Sequence, residues 1–236
     1  MFMKYWNRSD VILSEIEQKM LTVYNRLKIL GEFCMESQKN QLKEYMENPF
    51  ELELNASYTL NFLIYIQNIY LNQNKDDFKF PYLSKKITFN ESFENNYRKL
   101  WKEITESLMG DDPTADIKYF FDKRELFYKE LIVEDEDNFE VFKEVYRRFE
   151  TWWDSVVGKY TIEKSVDKEA RSLYSDLSKW FIENKKLPNK RLCIQLIYDK
   201  CLLIRDAKEC HVTIIPILDF SVRYKELLPE ILKSME

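Results

Sequence analysis

Apolar residues recur at intervals of three and four along most of the chain, which is the spacing of one face of an α-helix. The pattern predicts amphipathic helices at 10–30, 32–46, 54–71, 91–109, 114–131, 138–157, 167–183, 192–210 and 220–232. Between the third and fourth of them, the polar stretch 72–88 contains Pro81 and predicts a long loop. The predicted fold class is therefore all-α, a multi-helix bundle of roughly 7–9 amphipathic helices.

Two of the predicted helices are apolar on most of their sides. Residues 54–71 are expected to form a central helix, and residues 192–210 a helix buried against its own bundle or a second subunit. The β-branched run that follows the second helix meets Pro216, so we expect the chain to bend or extend there.

Composition agrees with a mostly helical chain. There are 3 glycines and 6 prolines among 236 residues, which leaves few tight turns for a series of short strands. Aromatic residues make up 15% of the chain, and we expect their rings to fill much of the core. No internal repeat or domain boundary is visible. We predict one helical domain, 1–236.

Charge and cysteine content narrow the setting. The formal net charge is −5, whereas a nucleic-acid-binding face is usually basic, so only a local basic patch is compatible with such binding. The four cysteines form no CxxC pair and fit no common zinc spacing, so we expect reduced, core-forming thiols. No secretory signal and no membrane-length apolar run is visible. We expect a cytoplasmic protein that makes no membrane contact.

Missing motifs exclude several classes of enzyme. The chain has no GxxxxGK[ST] phosphate loop, no HExxH and no GxSxG motif. Its single histidine, His211, cannot supply the two ExxH motifs of a di-iron bundle. We therefore predict no cofactor and no metal. Two readings remain: a metal-independent site around His211, or no active site.

His211 stands six residues after Arg205, which is followed directly by Asp206. This arrangement resembles the R-x(4–6)-H motif of the HEPN superfamily, in which the arginine is typically followed by Asn, Asp or His. The predicted apolar helix before the motif and the segment Leu227–Leu232 behind it, similar to a closing helix, extend the resemblance over 167–236. HEPN proteins are helical bundles, usually dimeric, and many are metal-independent RNases of toxin–antitoxin and anti-phage systems.

The resemblance implies an RNA-binding protein or metal-independent endoribonuclease of the toxin or defence type, acting as a homodimer. His211 would exchange a proton with the ribose 2′-OH or the leaving 5′-oxygen, and Arg205 would stabilise charge on the phosphorane. Asp206 would support one of them. On a straight helix the two side chains point about 120° apart, so convergence requires a helix end, a bend or a symmetric partner.

Other residues extend the RNA hypothesis. A basic connector is a candidate for phosphate contacts, with a solvated loop as the alternative; its cations are Lys185, Lys186, Lys190 and Arg191. Trp152 and Trp153 are candidates for base stacking, with core packing as the alternative. The alternative function for the whole chain is a non-catalytic helical interaction protein, either an immunity or antitoxin-like partner of another protein or a degenerate HEPN relative.

Overall fold

A computed structural model describes residues 51–74, 79–108, 110, 112, 114–184, 192–204 and 213–234. All of them lie in the compact unit Phe50–Glu236. The helices predicted at 10–30 and 32–46 lie outside the described residues, so the prediction of a single domain stays a prediction.

Three short parallel strands form a small sheet, in the order β1 (Leu52–Asn55), β2 (Leu192–Ile197) and β3 (Thr213–Pro216). Leu54 of β1 and Thr213 of β3 both lie opposite Ile194 in the central strand. The described part of the chain is mostly helical, as predicted, but this sheet makes the all-α class wrong in detail.

Helices make up most of the remainder. They are α1 (Tyr58–Asn74), α2 (Phe93–Ser107), α3 (Ala115–Asp122), α4 (Arg124–Leu131), α5 (Glu136–Trp153), α6 (Thr161–Ser165), α7 (Asp167–Glu183) and α8 (Ile217–Ser234). A π-helical turn, Val156–Tyr160, separates α5 from α6. The helix predicted at 114–131 is two helices, because the backbone leaves the helical conformation at Lys123. Asp135, in the acidic run before α5, caps that helix by accepting a hydrogen bond from the Asn138 amide.

Helix α1 is the central element, as predicted. Nearly all of its side chains are buried, and Phe62 alone packs against four other rings at centroid distances of 5.1–5.3 Å. These rings come from α3, α4 and α5: Phe120, Phe127, Tyr146 and Phe149. Most of these contacts are edge-to-face, the arrangement that aromatic quadrupoles favour. The prediction of an aromatic core is confirmed for this part of the chain.

The helix predicted at 192–210 is wrong over its described part. Residues 192–197 are strand β2, and residues 198–204 are not helical. A strand in the middle of a parallel sheet is buried on both faces, so its sequence is continuously apolar and lacks the alternation of an exposed strand. Such a run has the same appearance as a buried helix. The HEPN resemblance therefore loses the apolar helix as support and depends on the motif and the segment behind it.

The strand β1 was also missed, because the predicted helix 54–71 overlaps its last two residues. Helix α1 begins at Tyr58 and continues to Asn74. The extended chain at Thr213–Pro216 confirms the prediction made for the β-branched run. Part of the loop predicted at 72–88 is described, and its residues 79–88 are non-helical.

Candidate functional site

The predicted catalytic residues and the predicted basic connector lie outside the described residues. They are Arg205, Asp206 and His211 in the motif, with Lys185, Lys186, Lys190 and Arg191 in the basic connector. The structure instead describes the chain on both sides of the motif. Residues 198–204, which we term the lead segment, follow β2 and end directly before Arg205, and Thr213 opens β3 two positions after His211.

Gln67 of α1 anchors the end of the lead segment. Its Oε1 accepts hydrogen bonds from the backbone amides of Leu202 (2.7 Å) and Leu203 (3.2 Å), and its Nε2 donates to the carbonyl of Lys200 (2.9 Å). Gln67 is fully buried, so these bonds form where water does not compete. One side chain therefore fixes three backbone groups within five residues of Arg205.

Asn61 and Asn68 anchor the beginning of the same segment. The Asn61 amide donates to the carbonyl of Leu196 (2.9 Å) and accepts from the amide of Tyr198 (2.8 Å), so it spans the end of β2. The Nδ2 of Asn68 contacts the carboxylate of Asp199 at 3.0 Å. With Gln67, these two residues form an amide clamp on the lead segment.

The clamp explains three polar residues in an otherwise apolar helix. Asn61, Gln67 and Asn68 are buried within α1, and a buried amide without partners costs several kcal/mol. Their presence in a buried helix is the sequence signal that another backbone segment must supply hydrogen bonds. The apolar pattern of this helix alone did not predict that consequence.

Helix α2 fixes the lead segment from another direction. Arg98 donates from Nε to the carbonyl of Leu203 at 3.1 Å, and the Tyr97 hydroxyl lies 3.8 Å from the Cys201 sulfur. Burial raises the pKa of the Cys201 thiol to about 11, so this thiol stays protonated at neutral pH and is a poor nucleophile. Cys193 and Cys201, the two described cysteines, both carry free thiols.

The N-terminus of α1, which follows the carboxyl end of β1, is a potential anion site. The Asp116 carboxylate of α3 already occupies it, accepting from the Ser57 hydroxyl (2.8 Å) and from the amides of Tyr58 (2.5 Å) and Thr59 (3.0 Å). This helix end is therefore satisfied by the chain itself.

A second titratable cluster lies beside that helix end. The Tyr58 hydroxyl donates to Asp154 at 3.3 Å, and Glu150 stands one turn before Asp154 on α5. Burial, reinforced by the negative charge of Asp154, raises the pKa of Glu150 to about 7, against the attraction of Arg124. Sequence reasoning missed this pair, since its i, i+4 spacing alone does not distinguish a half-buried carboxylate from an exposed one.

The two tryptophans that were candidates for base stacking have different environments. Trp153 is fully buried and stacks on Phe149 at a centroid distance of 5.6 Å, which is the core alternative. Trp152 is half-buried and lies 5.0 Å from the rings of both Phe80 and Tyr198. Only Trp152 can present a ring edge or face to a ligand.

No family model, curated protein or solved structure matches this chain. Within the described residues, no three His, Cys, Asp or Glu side chains are grouped closely enough to hold a metal ion. None of the helices in the same part of the chain combines the length and the apolar character needed to cross a bilayer.

Proposed function

We propose that this protein is an RNA-binding, metal-independent endoribonuclease whose catalytic residues are Arg205 and His211. The supporting observation is the anchoring of the chain on both sides of the pair: the amide clamp fixes the lead segment up to Leu203, and β3 starts at Thr213. Reactive residues are commonly carried on loops that a rigid scaffold positions.

The described chain before Arg205 also bears on the geometry of this pair. A straight helix would hold two side chains six residues apart at about 120° to each other. The chain from Leu192 to Ile204 is a strand followed by a non-helical segment, so no helix runs into Arg205 from the preceding residues. The helix from which the separation of about 120° was predicted is therefore absent over 192–204.

In the proposed reaction, the His211 imidazole takes the proton of a ribose 2′-OH, and the 2′-oxygen attacks the adjacent phosphorus. The guanidinium of Arg205 stabilises the charge on the phosphorane oxygens, the P–O5′ bond breaks, and the leaving 5′-oxygen takes up a proton from water. The products are a 2′,3′-cyclic phosphate and a 5′-hydroxyl. Asp206 orients one of the two side chains, and the cations at 185, 186, 190 and 191 contact backbone phosphates.

The test is cleavage of a 5′-labelled single-stranded RNA in EDTA. We expect the wild type to cleave, and Arg205→Ala and His211→Ala to lower the rate by at least about 100-fold, the usual contribution of a general acid–base group. Arg223→Ala is the matched control, because Arg223 is an exposed arginine on α8 that pairs with Asp219. Folding of each variant is checked by circular dichroism, and wild-type rates in both folded variants would contradict the assignment.

A second candidate function is a non-catalytic protein-interaction module. Leu218 and Val222 lie one turn apart on α8 and are 65% and 71% exposed, so an apolar strip of this helix faces solvent. This function predicts that neither the folded wild type nor any variant cleaves RNA, and that Leu218→Ser/Val222→Ser weakens the association of this chain with another protein.

A further inference from the structure

One part of the surface combines exposed aromatic rings with cations. Phe80 and Tyr82 are 45% and 61% exposed, although aromatic side chains of this size are usually buried. Phe80 contacts Trp152 and Tyr198, and Trp152 stacks on Tyr65 at 6.0 Å. The ring of Phe80 is therefore held in place by the rings behind it, and Tyr82 follows two residues later in the same loop.

The cations come from the loop before α2 and from α5. Lys79 pairs with Asp199 at 3.2 Å, and Glu144 pairs with Arg148 at 2.6 Å and with Lys85 at 4.0 Å. Lys86, next to Lys85, is exposed. Arg148 is close enough to act on the aromatic cluster electrostatically. Burial raises the pKa of Tyr65 to about 12, and the positive charge of Arg148 lowers it in part.

We name the whole set the aromatic–basic surface. Its members are Phe80, Tyr82, Trp152 and Tyr198 with Lys79, Lys85, Lys86 and Arg148. This set brings four cations together with the carboxylates of Asp199 and Glu144, in a chain whose formal net charge is −5. In a chain of net negative charge, a local group of cations is the feature that RNA binding needs.

We propose that the aromatic–basic surface binds single-stranded RNA, with bases stacking on Phe80 and Tyr82 and phosphates contacting Lys85, Lys86 and Arg148. This inference rests on the proposed function and names its substrate class as unpaired RNA. Stacking platforms beside cations are the common device of single-strand binding, because every base has a face that an aromatic ring can cover.

The surface also includes a residue that lies close in sequence to the candidate site. Tyr198 is the first residue of the lead segment, whose end directly precedes Arg205. Seven residues of extended chain span at most about 24 Å, which limits how far Arg205 can lie from the stacked rings. That upper limit is within the reach of an RNA strand a few nucleotides long.

Binding is measured by fluorescence anisotropy of a labelled 12-nucleotide single-stranded RNA, in EDTA and in a His211→Ala background that prevents cleavage. We expect Phe80→Ala and Tyr82→Ala each to weaken binding about 5- to 100-fold, the effect of losing one stacked base. Phe139→Ala is the matched control: Phe139 is 42% exposed with Lys143 above its ring at 5.1 Å, and it lies outside the surface. That variant should bind as the parent does.

The charge contribution is measured separately from the salt dependence. Lys85→Gln/Lys86→Gln is expected to make the slope of log affinity against log salt shallower by about 1–2, because each lost phosphate contact lowers the number of counterions that binding releases. Lys99→Gln/Lys102→Gln is the control, as both lysines are exposed on α2, outside the surface. All four lysines are exposed, so neither double substitution changes the packing of the core.

The outcomes separate this inference from the proposed function. Unchanged affinity in Phe80→Ala and Tyr82→Ala, or no RNA binding by the folded parent, overturns the proposal that the aromatic–basic surface binds RNA. A protein partner is then the alternative ligand for this surface. If those variants lose affinity while Arg205→Ala and His211→Ala cleave at the wild-type rate, the surface stands and the nuclease assignment falls. If Arg205→Ala and His211→Ala lose cleavage while Phe80→Ala and Tyr82→Ala keep their affinity, the nuclease assignment stands and the RNA-binding surface is refuted.

Discussion

Glu150 shows how one half-buried carboxylate couples folding to pH. Its pKa is raised to about 7 in the folded protein, from about 4.5 for an ordinary glutamate, first by burial and then by Asp154. The folded state therefore holds a proton that the unfolded state has lost between those two values. Stability falls as the pH rises through this window and levels off above it.

We expect Glu150 to contribute a loss of about 2 kcal/mol of unfolding free energy between pH 5 and pH 8, a value reduced from the full linkage because Glu150 is partly solvated. Burial also raises the pKa of Glu163, so Glu163 adds a loss of the same sign that Glu150→Gln leaves in place. Glu150→Gln should flatten this dependence and be the more stable variant at pH 8. Urea denaturation at several pH values measures it. Glu140→Gln, an exposed site on the same helix, should keep the wild-type slope; an unchanged slope in Glu150→Gln would refute the role of Glu150.

Gly158 is required by close approach of the backbone and not by an unusual φ angle. A Cβ atom at this position would lie 2.3 Å from the carbonyl oxygen of Trp152 and 2.5 Å from that of Trp153. Both distances are far shorter than a van der Waals contact, and both oxygens belong to the backbone at the end of α5. The π-helical turn after α5 therefore requires a residue without a Cβ atom at position 158.

Gly158→Ala should destabilise the fold by about 1–3 kcal/mol, the usual cost of overpacking, and lower the thermal midpoint accordingly. Gly110→Ala is the control, because its Cβ would meet only the Ser107 carbonyl oxygen at 3.5 Å, an ordinary contact. Equal thermal midpoints for the two variants would show that the turn relaxes freely around an added methyl group.

At the scale of elements, helices were far easier to predict than strands. The helices at 93–107, 136–153 and 167–183 follow the apolar periodicity closely, with shifts of a few residues at their ends. β1 carries a visible cue, since Glu51 to Asn55 alternates polar and apolar residues, but a run so short is easily absorbed into the helix that follows. β2 carries no alternation because both its faces are buried.

The amide clamp is the element-scale feature that the candidate site depends on. Gln67→Leu removes the partners of three backbone groups, and each group left unsatisfied costs about 1–3 kcal/mol unless water enters. We expect a loss of about 2–4 kcal/mol in unfolding free energy, with some of that cost relieved by water. Hydrogen exchange at the amides of Leu202 and Leu203 should speed up by at least about tenfold.

Gln73→Leu provides the matched comparison on the same helix. Gln73 is half-buried and makes one weak hydrogen bond, accepting from the Ile87 amide at 3.4 Å. This variant should leave exchange at Leu202 and Leu203 unchanged. If Gln67→Leu also leaves it unchanged, the lead segment is held by other contacts, and the positioning argument for Arg205 fails.

At the scale of the whole molecule, the sheet could not have been predicted from local sequence. β1 pairs with β2 across more than a hundred residues, and the helices α1 to α7 all lie in that connection. Periodicity reports which face of an element is buried and does not report which distant element covers it. The motif Arg205 to His211 was found from residue identity alone. The contacts of α1 with the lead segment that precedes the motif could be seen only in the folded structure.

The central claim is that the chain cleaves RNA at a site made by Arg205 and His211, and the nature of the nucleophile tests it most directly. The measurement compares cleavage, in EDTA, of a single-stranded RNA and of the same sequence with 2′-deoxyribose at the cleaved position. We expect the wild type to cut the RNA to a 2′,3′-cyclic phosphate and to spare the deoxy substrate, with His211→Ala inactive on both. Cleavage of the deoxy substrate, or full activity in folded His211→Ala, would contradict the account.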